Sequence, residues 1–130
     1  MEEQQFLFKQ KKNRPNPKES GIQQNVIKYC KLKKLQAVGY PGGIFLKDRA
    51  SAFAVMNKQK KEGFTKGFPD LMIIGSSKIV FIELKRNSGG IKSKEQIEWI
   101  EYLQKQGFVA EFAEGFEEAK KIIDREFKNV

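Results

Sequence analysis

The sequence of 130 residues contains no histidine and a single cysteine, Cys30. Without histidine, Ser/His catalysis, Cys/His catalysis and His-ligated zinc are excluded, so a general base or metal ligand has to be a carboxylate, a lysine, the backbone or water. One cysteine cannot form an internal disulfide and is typical of a reducing compartment. Its place among apolar residues at helical spacing predicts a buried packing thiol rather than a nucleophile.

Long apolar runs are also missing. No run approaches the roughly 18–20 residues needed to cross a membrane. The N-terminus, MEEQQFLFKQKKNR, is acidic and then basic and lacks the apolar stretch of a signal peptide. We therefore expect a cytoplasmic protein with no membrane partner. Residues 1–18 are interpreted as a flexible basic N-terminal arm ending in the helix-breaking sequence RPNP, and residues 19–130 as one folded domain.

The net charge of +9 is concentrated in one half of the chain. Residues 1–66 hold 15 of the 25 Lys and Arg residues but only 5 of the 16 Asp and Glu residues. Such an excess favours a polyanionic partner, in most cases nucleic acid and less often an anionic membrane. The alternative is that the charge serves solubility alone.

The apolar pattern predicts seven elements in the order helix, strand, strand, strand, helix, strand, helix. Apolar residues recur at helical spacing from Ile22 to Leu35 and predict a first helix, which the glycines and proline at residues 39–43 end. The remaining predicted elements are a short strand at residues 44–46, a hairpin of residues 71–74 and 79–84, a helix from Ser93 to Gly107, a strand at residues 108–112 and a helix at residues 116–127. Together they predict an α/β fold with a central mixed sheet flanked by helices.

Three charges interrupt the two apolar strands of the hairpin. Glu83 and Lys85 project from the same face of one strand, roughly 6–7 Å apart, and Asp70 begins the neighbouring strand. Two carboxylates in a poorly solvated place repel unless something neutralises them. A hard divalent cation such as Mg²⁺ would do so, because it prefers oxygen ligands. The alternative is an ordinary ion pair of Glu83 and Lys85, with Asp70 as a turn residue.

The spacing of these residues resembles a known signature. Pro69-Asp70, followed after twelve residues by Glu83-Leu84-Lys85, is similar to the signature of the PD-(D/E)xK nuclease superfamily. The ordered segments GFPDLMII and IVFIELKRNSGGIKSKEQIEWIEYLQKQGF closely resemble the VRR-NUC (virus-type replication-repair nuclease) family. The resemblance implies a single restriction-endonuclease-like domain, of the standalone type typical of phage and bacterial genomes. If the protein is phage-encoded, its cytoplasm is that of the host.

The resemblance also implies roles for residues of this motif. Asp70 and Glu83 would bind Mg²⁺ (or Mn²⁺), and the backbone carbonyl of Leu84 would complete the metal shell. Lys85 would assist the hydrolytic water. No small-molecule cofactor other than the metal is expected.

Two further catalytic candidates have simpler explanations beside the functional one. Glu19, before Ile22-Gln23, fits a family glutamate that serves as an outer metal ligand, but a glutamate in a first helical turn is also favoured by the helix dipole. Gln96 fits a family glutamine near the catalytic lysine or a phosphate. It also completes an S-x-x-Q capping box with Ser93.

Basic residues around the motif are candidate phosphate contacts, although a run of charges is usually a solvated face. Trp99 and Tyr102 are interpreted as packing residues rather than base-stacking groups. No element suggests a recognition helix for base edges. The predicted DNA-binding residues are Lys58, Lys60, Lys61, Lys66 and Arg86.

The combined expectation is a metal-dependent, structure-selective DNA endonuclease. Small members of the family resemble homodimeric Holliday-junction resolvases, and two-fold symmetry suits a reaction that needs two symmetric cuts. Residues 52–56 are the candidate dimer interface, or else a core strand. Two alternatives remain: a flap, nicking or restriction-type DNA nuclease, and a basic nucleic-acid-binding module without catalysis.

Overall fold

A computed structural model of the chain describes residues 19–40, 54, 57–88 and 90–128, with the backbone alone described at residues 19 and 20. Three long helices and four strands occur within these residues, in the predicted order of element types, although the first strand is not the one predicted at residues 44–46. They are α1 (Glu19–Leu32), β1 (Gln36–Gly39), β2 (Leu71–Gly75), β3 (Lys78–Lys85), α2 (Lys94–Lys105), β4 (Val109–Glu114) and α3 (Gly115–Glu126). Residues 57–61 are also helical.

The four strands form one sheet in the order β1-β2-β3-β4. β1 with β2 and β2 with β3 are antiparallel pairs, whereas β3 and β4 are parallel. Ser76 and Ser77 join β2 to β3 and both have positive φ, 49° and 60°, as a two-residue hairpin turn of the primed type requires. A parallel pair needs a crossover connection, which α2 supplies. The predicted α/β fold with a mixed sheet is confirmed.

Alternation along β3 separates two apolar layers. Ile82 belongs to the main core, which β2 and β3 form with α1 and α3. Phe81 points to the opposite face and packs with Ile100 of α2. By the same alternation Glu83 and Lys85 lie on the face that α2 covers. The sheet thus carries its charged residues on the α2 side and its largest apolar core on the other.

The predicted first helix is too long. α1 ends at Leu32, and β1, which the prediction included in the helix, is an edge strand. The helix closes in a Schellman arrangement: Lys34 adopts φ 61°, and the amide of Leu35 donates to the carbonyl of Cys30 at 2.8 Å. Lysine rather than glycine occupies the left-handed position, so the usual sequence signal for this helix end is missing. Leu35 is buried as predicted, although it lies outside the helix.

Two predictions fall on other parts of the chain. The strand at residues 44–46 and the arm at residues 1–18 lie outside the described residues. Within the part of the chain that the structure describes, no helix combines the length and apolar character needed to cross a membrane.

Cys30 is fully buried in the main core, as predicted. Burial raises the pKa of its thiol to about 12. The thiolate is the reactive form of cysteine, so this side chain packs and takes no part in chemistry near neutral pH.

Candidate active site

The hairpin brings two carboxylates together at the start of β2. Leu71 pairs with Ile82, which places Asp70 beside Glu83. The amide of Asp70 donates to Oε2 of Glu83 at 2.9 Å, and the amide of Leu84 donates to Oδ2 of Asp70, also at 2.9 Å. Each carboxylate is therefore held by the backbone of the opposite strand.

Lys85 lies next to this pair on the same face of β3. Its Nζ is 3.8 Å from Oε1 of Glu83, and both residues are buried, with exposures of 5% and 3%. Gly90 packs so close to Lys85 that a Cβ on the glycine would come within 2.9 Å of the Cβ of Lys85. The two charges therefore stand in a poorly solvated place at the end of the strand.

Gln96 of α2 connects the charged residues to the helix. Its Oε1 accepts from Nζ of Lys85 at 2.7 Å, and its Nε2 donates to Oε1 of Glu83 at 2.5 Å. The same Oε1 accepts from the amide of Ser93 at 3.0 Å, while the Ser93 hydroxyl accepts from the Gln96 amide at 3.2 Å. The capping interpretation of Gln96 and the functional one are therefore compatible, because the same side chain completes the capping box and contacts both Lys85 and Glu83.

Gly67 permits the close approach of this helix to the Pro69-Asp70 turn. It has φ +88°, and a Cβ there would lie 2.6 Å from the backbone carbon of Glu95. Only glycine fits both conditions without strain. Gln96 follows Glu95 in α2, so the close contact at Gly67 also sets how near Gln96 lies to the Pro69-Asp70 turn.

The pKa of Glu83 reflects two carboxylates held close together in a buried place. Burial, and next the negative charge of Asp70, raise the pKa of Glu83 to about 8, although the Asp70 amide and the Lys85 ammonium both favour the charged form. Lys85 does lie within ion-pair distance of Glu83, at 3.8 Å, as the simpler explanation required. It does not offset the cost of burying the second carboxylate.

The donor set fits a hard divalent cation. Asp70 and Glu83 provide carboxylate oxygens, and the adjacent Leu84 provides a backbone carbonyl, all of which are ligands that Mg²⁺ and Mn²⁺ accept. No cluster of three or more Asp, Glu, Cys or His side chains occurs among the described residues. Among the described side chains, Asp70 and Glu83 are the carboxylates that could hold a cation here, with backbone, water and substrate oxygens completing its shell.

The other predicted site residues are less closely gathered. Glu19 begins α1, and its side chain lies outside the description. The predicted DNA-binding residues are all exposed. Two of them form ion pairs on the surface, Lys58 with Glu62 at 3.9 Å and Lys66 with Glu95 at 3.8 Å. Arg86 directly follows Lys85, and Lys60 and Lys61 lie in the helical segment 57–61.

A row of aromatic side chains beside the site was not foreseen from the sequence. Phe68 meets Tyr40 in a tilted arrangement and Trp99 edge-to-face, with ring centroids 5.0 Å apart in each case. Tyr40 in turn meets Phe64 at 5.8 Å, and Trp99 meets Tyr102 at 5.7 Å. Trp99 is half-buried and packs as predicted, but Tyr102 is 54% exposed. The residues come from three separated segments, so no local pattern indicated the row.

Comparisons with known proteins agree with the fold and give the family. A family model described as the VRR-NUC domain matches residues 15–117. A solved structure titled "VRR_NUC domain protein" superposes with a TM-score of 0.68 at 24% identity, covering 85% of this chain and 88% of that one. A second, titled "VRR_NUC domain", gives a TM-score of 0.61 at 17% identity over 84% and 97% of the two chains. At these identities the structures show a shared fold. No curated protein matches the chain.

Proposed function

Since the chain belongs to the VRR-NUC domain family, a family of nucleases, we propose that it is a divalent-metal-dependent DNA endonuclease with its active site at Asp70, Glu83 and Lys85. The observation that carries the proposal is the geometry of this trio. Two strands bring two carboxylates and a lysine to one buried point, where burial and the charge of Asp70 raise the pKa of Glu83. Perturbed groups of this kind cluster at functional sites.

Asp70 and Glu83, with the carbonyl of Leu84, are the residues that would hold Mg²⁺ (or Mn²⁺). Such a cation, when bound, polarises the scissile phosphate and lowers the pKa of water. Glu19 is proposed as an outer ligand on the family pattern alone. The substrate's phosphate oxygens would supply further ligands, which agrees with the small number of protein carboxylates at the site.

Lys85 is the proposed catalytic lysine. Its ammonium stands 3.8 Å from Glu83 and is oriented by Gln96 at 2.7 Å, so a phosphate or a water bound at the carboxylate pair would lie near it. There it can hold the water in position and stabilise charge that develops on the phosphate. Gln96 acts as a positioning residue for both Lys85 and Glu83.

The exposed basic residues are proposed to hold the DNA backbone without reading its sequence. They are Lys58, Lys60, Lys61, Lys66 and Arg86. All five are exposed, and the surface ion pairs of Lys58 with Glu62 and of Lys66 with Glu95 are weak enough to exchange.

Branched DNA is the proposed substrate class, and a homodimeric Holliday-junction resolvase the proposed form of the enzyme. The support is the lack of an evident base-reading element among the described residues and the need for two symmetric cuts at a four-way junction. Of the candidate interface at residues 52–56, only Ala54 is described, and it is exposed. We place the reaction in the cytoplasm, that of the host if the protein is phage-encoded.

Cleavage of a labelled four-way junction tests the proposal. Wild type is incubated with Mg²⁺, Mn²⁺ or EDTA, beside flap, nicked and linear duplex DNA, and compared with Lys85→Ala and Asp70→Asn. Lys121→Ala is the matched control, because Lys121 is exposed on α3. Paired, metal-dependent cuts that both site variants lose and the control keeps would support a resolvase. Preferred cutting of flaps or duplex would support another nuclease specificity, and tight binding without any cut would leave a binding module.

A further inference from the structure

A groove lies between α2 and the segment of residues 60–66, next to the candidate active site. Its volume is about 660 Å³, within the range of roughly 300–1,000 Å³ that is typical of small-molecule sites. One wall carries Trp99 and Tyr102 from α2, and the facing wall carries Phe64. The proposed mechanism uses none of these residues.

The charges around the groove argue against a phosphate inside it. Lys60 and Lys66 line the groove together with Glu95 and Glu98, so the cationic side chains are offset by carboxylates. The two carboxylates would repel a phosphate, but they can accept hydrogen bonds from the amino and imino groups of a nucleobase. Lys66 is 76% exposed at its side chain and can reach a phosphate that flanks the groove from outside.

Neighbouring residues of the chain connect the groove to the candidate active site. Lys66 lines the groove, and residues 67–70 run from there to Asp70 along the close contact of Gly67 with Glu95 and Gln96. On α2, Glu95 faces the groove while the next residue, Gln96, contacts Lys85 and Glu83. A DNA strand held at the proposed site would therefore lie close to the groove.

We propose that this groove receives an unpaired nucleobase close to the scissile phosphate, by stacking on Tyr102 and its aromatic neighbours. Bases within a continuous duplex are already stacked and cannot enter. The groove would therefore take a base only at a branch point, where a flap carries unpaired nucleotides or an opened four-way junction releases a base from its pair. Aromatic platforms of this kind bind bases of any sequence. The inference deepens the proposed nuclease function and rests on it.

The chain offers its own probe, since Trp99 is the only tryptophan and lies 5.7 Å from the ring of Tyr102. Metal-free protein is titrated with oligothymidylate, with a strand of equal length made of abasic residues, and with blunt duplex, while tryptophan fluorescence is recorded. We expect quenching by oligothymidylate alone. Tyr102→Ala should weaken that binding about 5- to 100-fold, the range for loss of one base-aromatic stack. Phe108→Leu is the control, because Phe108 is 41% exposed but does not line the groove.

Each outcome decides a separate question. Equal quenching by the abasic strand would show a phosphate site and overturn the inference, as would unchanged affinity in Tyr102→Ala with its fold intact by circular dichroism. No quenching by any of the three would overturn it as well. Junction cleavage with Mg²⁺ is measured in parallel. Cleavage without quenching would keep the nuclease proposal and overturn base binding in the groove. Quenching without cleavage would support base binding and overturn the nuclease proposal.

Discussion

The carboxylate pair predicts an unusual pH dependence for the stability of the metal-free protein. Burial and the charge of Asp70 raise the pKa of Glu83 from 4.5 to about 8. Below pH 4.5 this glutamate is protonated in both the folded and the unfolded chain and has no effect. As the pH rises toward 8, the unfolded chain releases the proton while the folded chain keeps it, so the free energy of unfolding falls.

The size of the effect follows from the shift. Each pKa unit corresponds to about 1.4 kcal/mol, which gives an upper limit of about 5 kcal/mol above pH 8 and about 3 kcal/mol at pH 7. Glu83→Gln keeps the shape of the side chain and removes the titration. We therefore expect the variant to match wild type near pH 5 and to exceed it by a few kcal/mol at pH 8.

Urea unfolding at several pH values between 5 and 8, in EDTA, measures this difference. Glu117→Gln, at an exposed position of α3, controls for the change in net charge. Saturating Mg²⁺ or Mn²⁺ should then stabilise wild type, by about 2.7 kcal/mol at a concentration of 100 Kd, and should have little effect on Glu83→Gln. Parallel stability curves for wild type and Glu83→Gln across this range would refute the argument that Glu83 is a strained, uncompensated carboxylate.

Three further predictions concern the surroundings of the site and the core. Gly67→Ala should destabilise the fold by about 2–4 kcal/mol in urea unfolding, because strain at positive φ adds to overpacking. Gly63→Ala, with φ +97° but no atom within 4 Å of the new Cβ, should lose only about 1 kcal/mol. Ser93→Ala should cost about 1 kcal/mol of stability and little cleavage activity, whereas Gln96→Ala should reduce both; equal activity in the two would disprove the positioning role. Burial tends to raise the pKa of the Asp124 carboxyl, but hydrogen bonds from Lys120 and Tyr29 outweigh this effect and the pKa is lowered. Asp124→Asn should therefore lose stability at pH 7 and match wild type once the pH falls well below 3.8.

The sequence was most informative where periodicity and chemistry coincide. The alternation in β3 predicted that Glu83 and Lys85 share a face, and the length of the hairpin predicted that Asp70 lies beside them. The capping box predicted the start of α2. The contact of Gln96 with the site came from the family resemblance, because no spacing rule relates a helix residue to a strand across a crossover.

Of the features that sequence reasoning missed, one is local and the other depends on contacts between distant segments. β1 follows a helix end in which Lys34 takes the left-handed position, and lysine gives no signal for that conformation. The aromatic groove joins residues 60–66 to α2, which are about thirty residues apart in the chain. Taken one by one, its residues are predicted to be loop or packing residues, and only the fold places them on a common surface.

Because Gln96 both caps α2 and contacts Lys85 and Glu83, the geometry of the proposed active site depends on the first turn of this helix. Helix ends open locally at a much lower free energy than the whole domain, as hydrogen exchange shows in many proteins. When this turn opens, the Ser93 cap, the hold on Lys85 and the contact with Glu83 are released in the same event. We therefore expect the proposed catalytic geometry to be lost at a lower free energy than global unfolding requires, and exchange of the Gln96 and Ile97 amides to report the fraction of molecules that retain it.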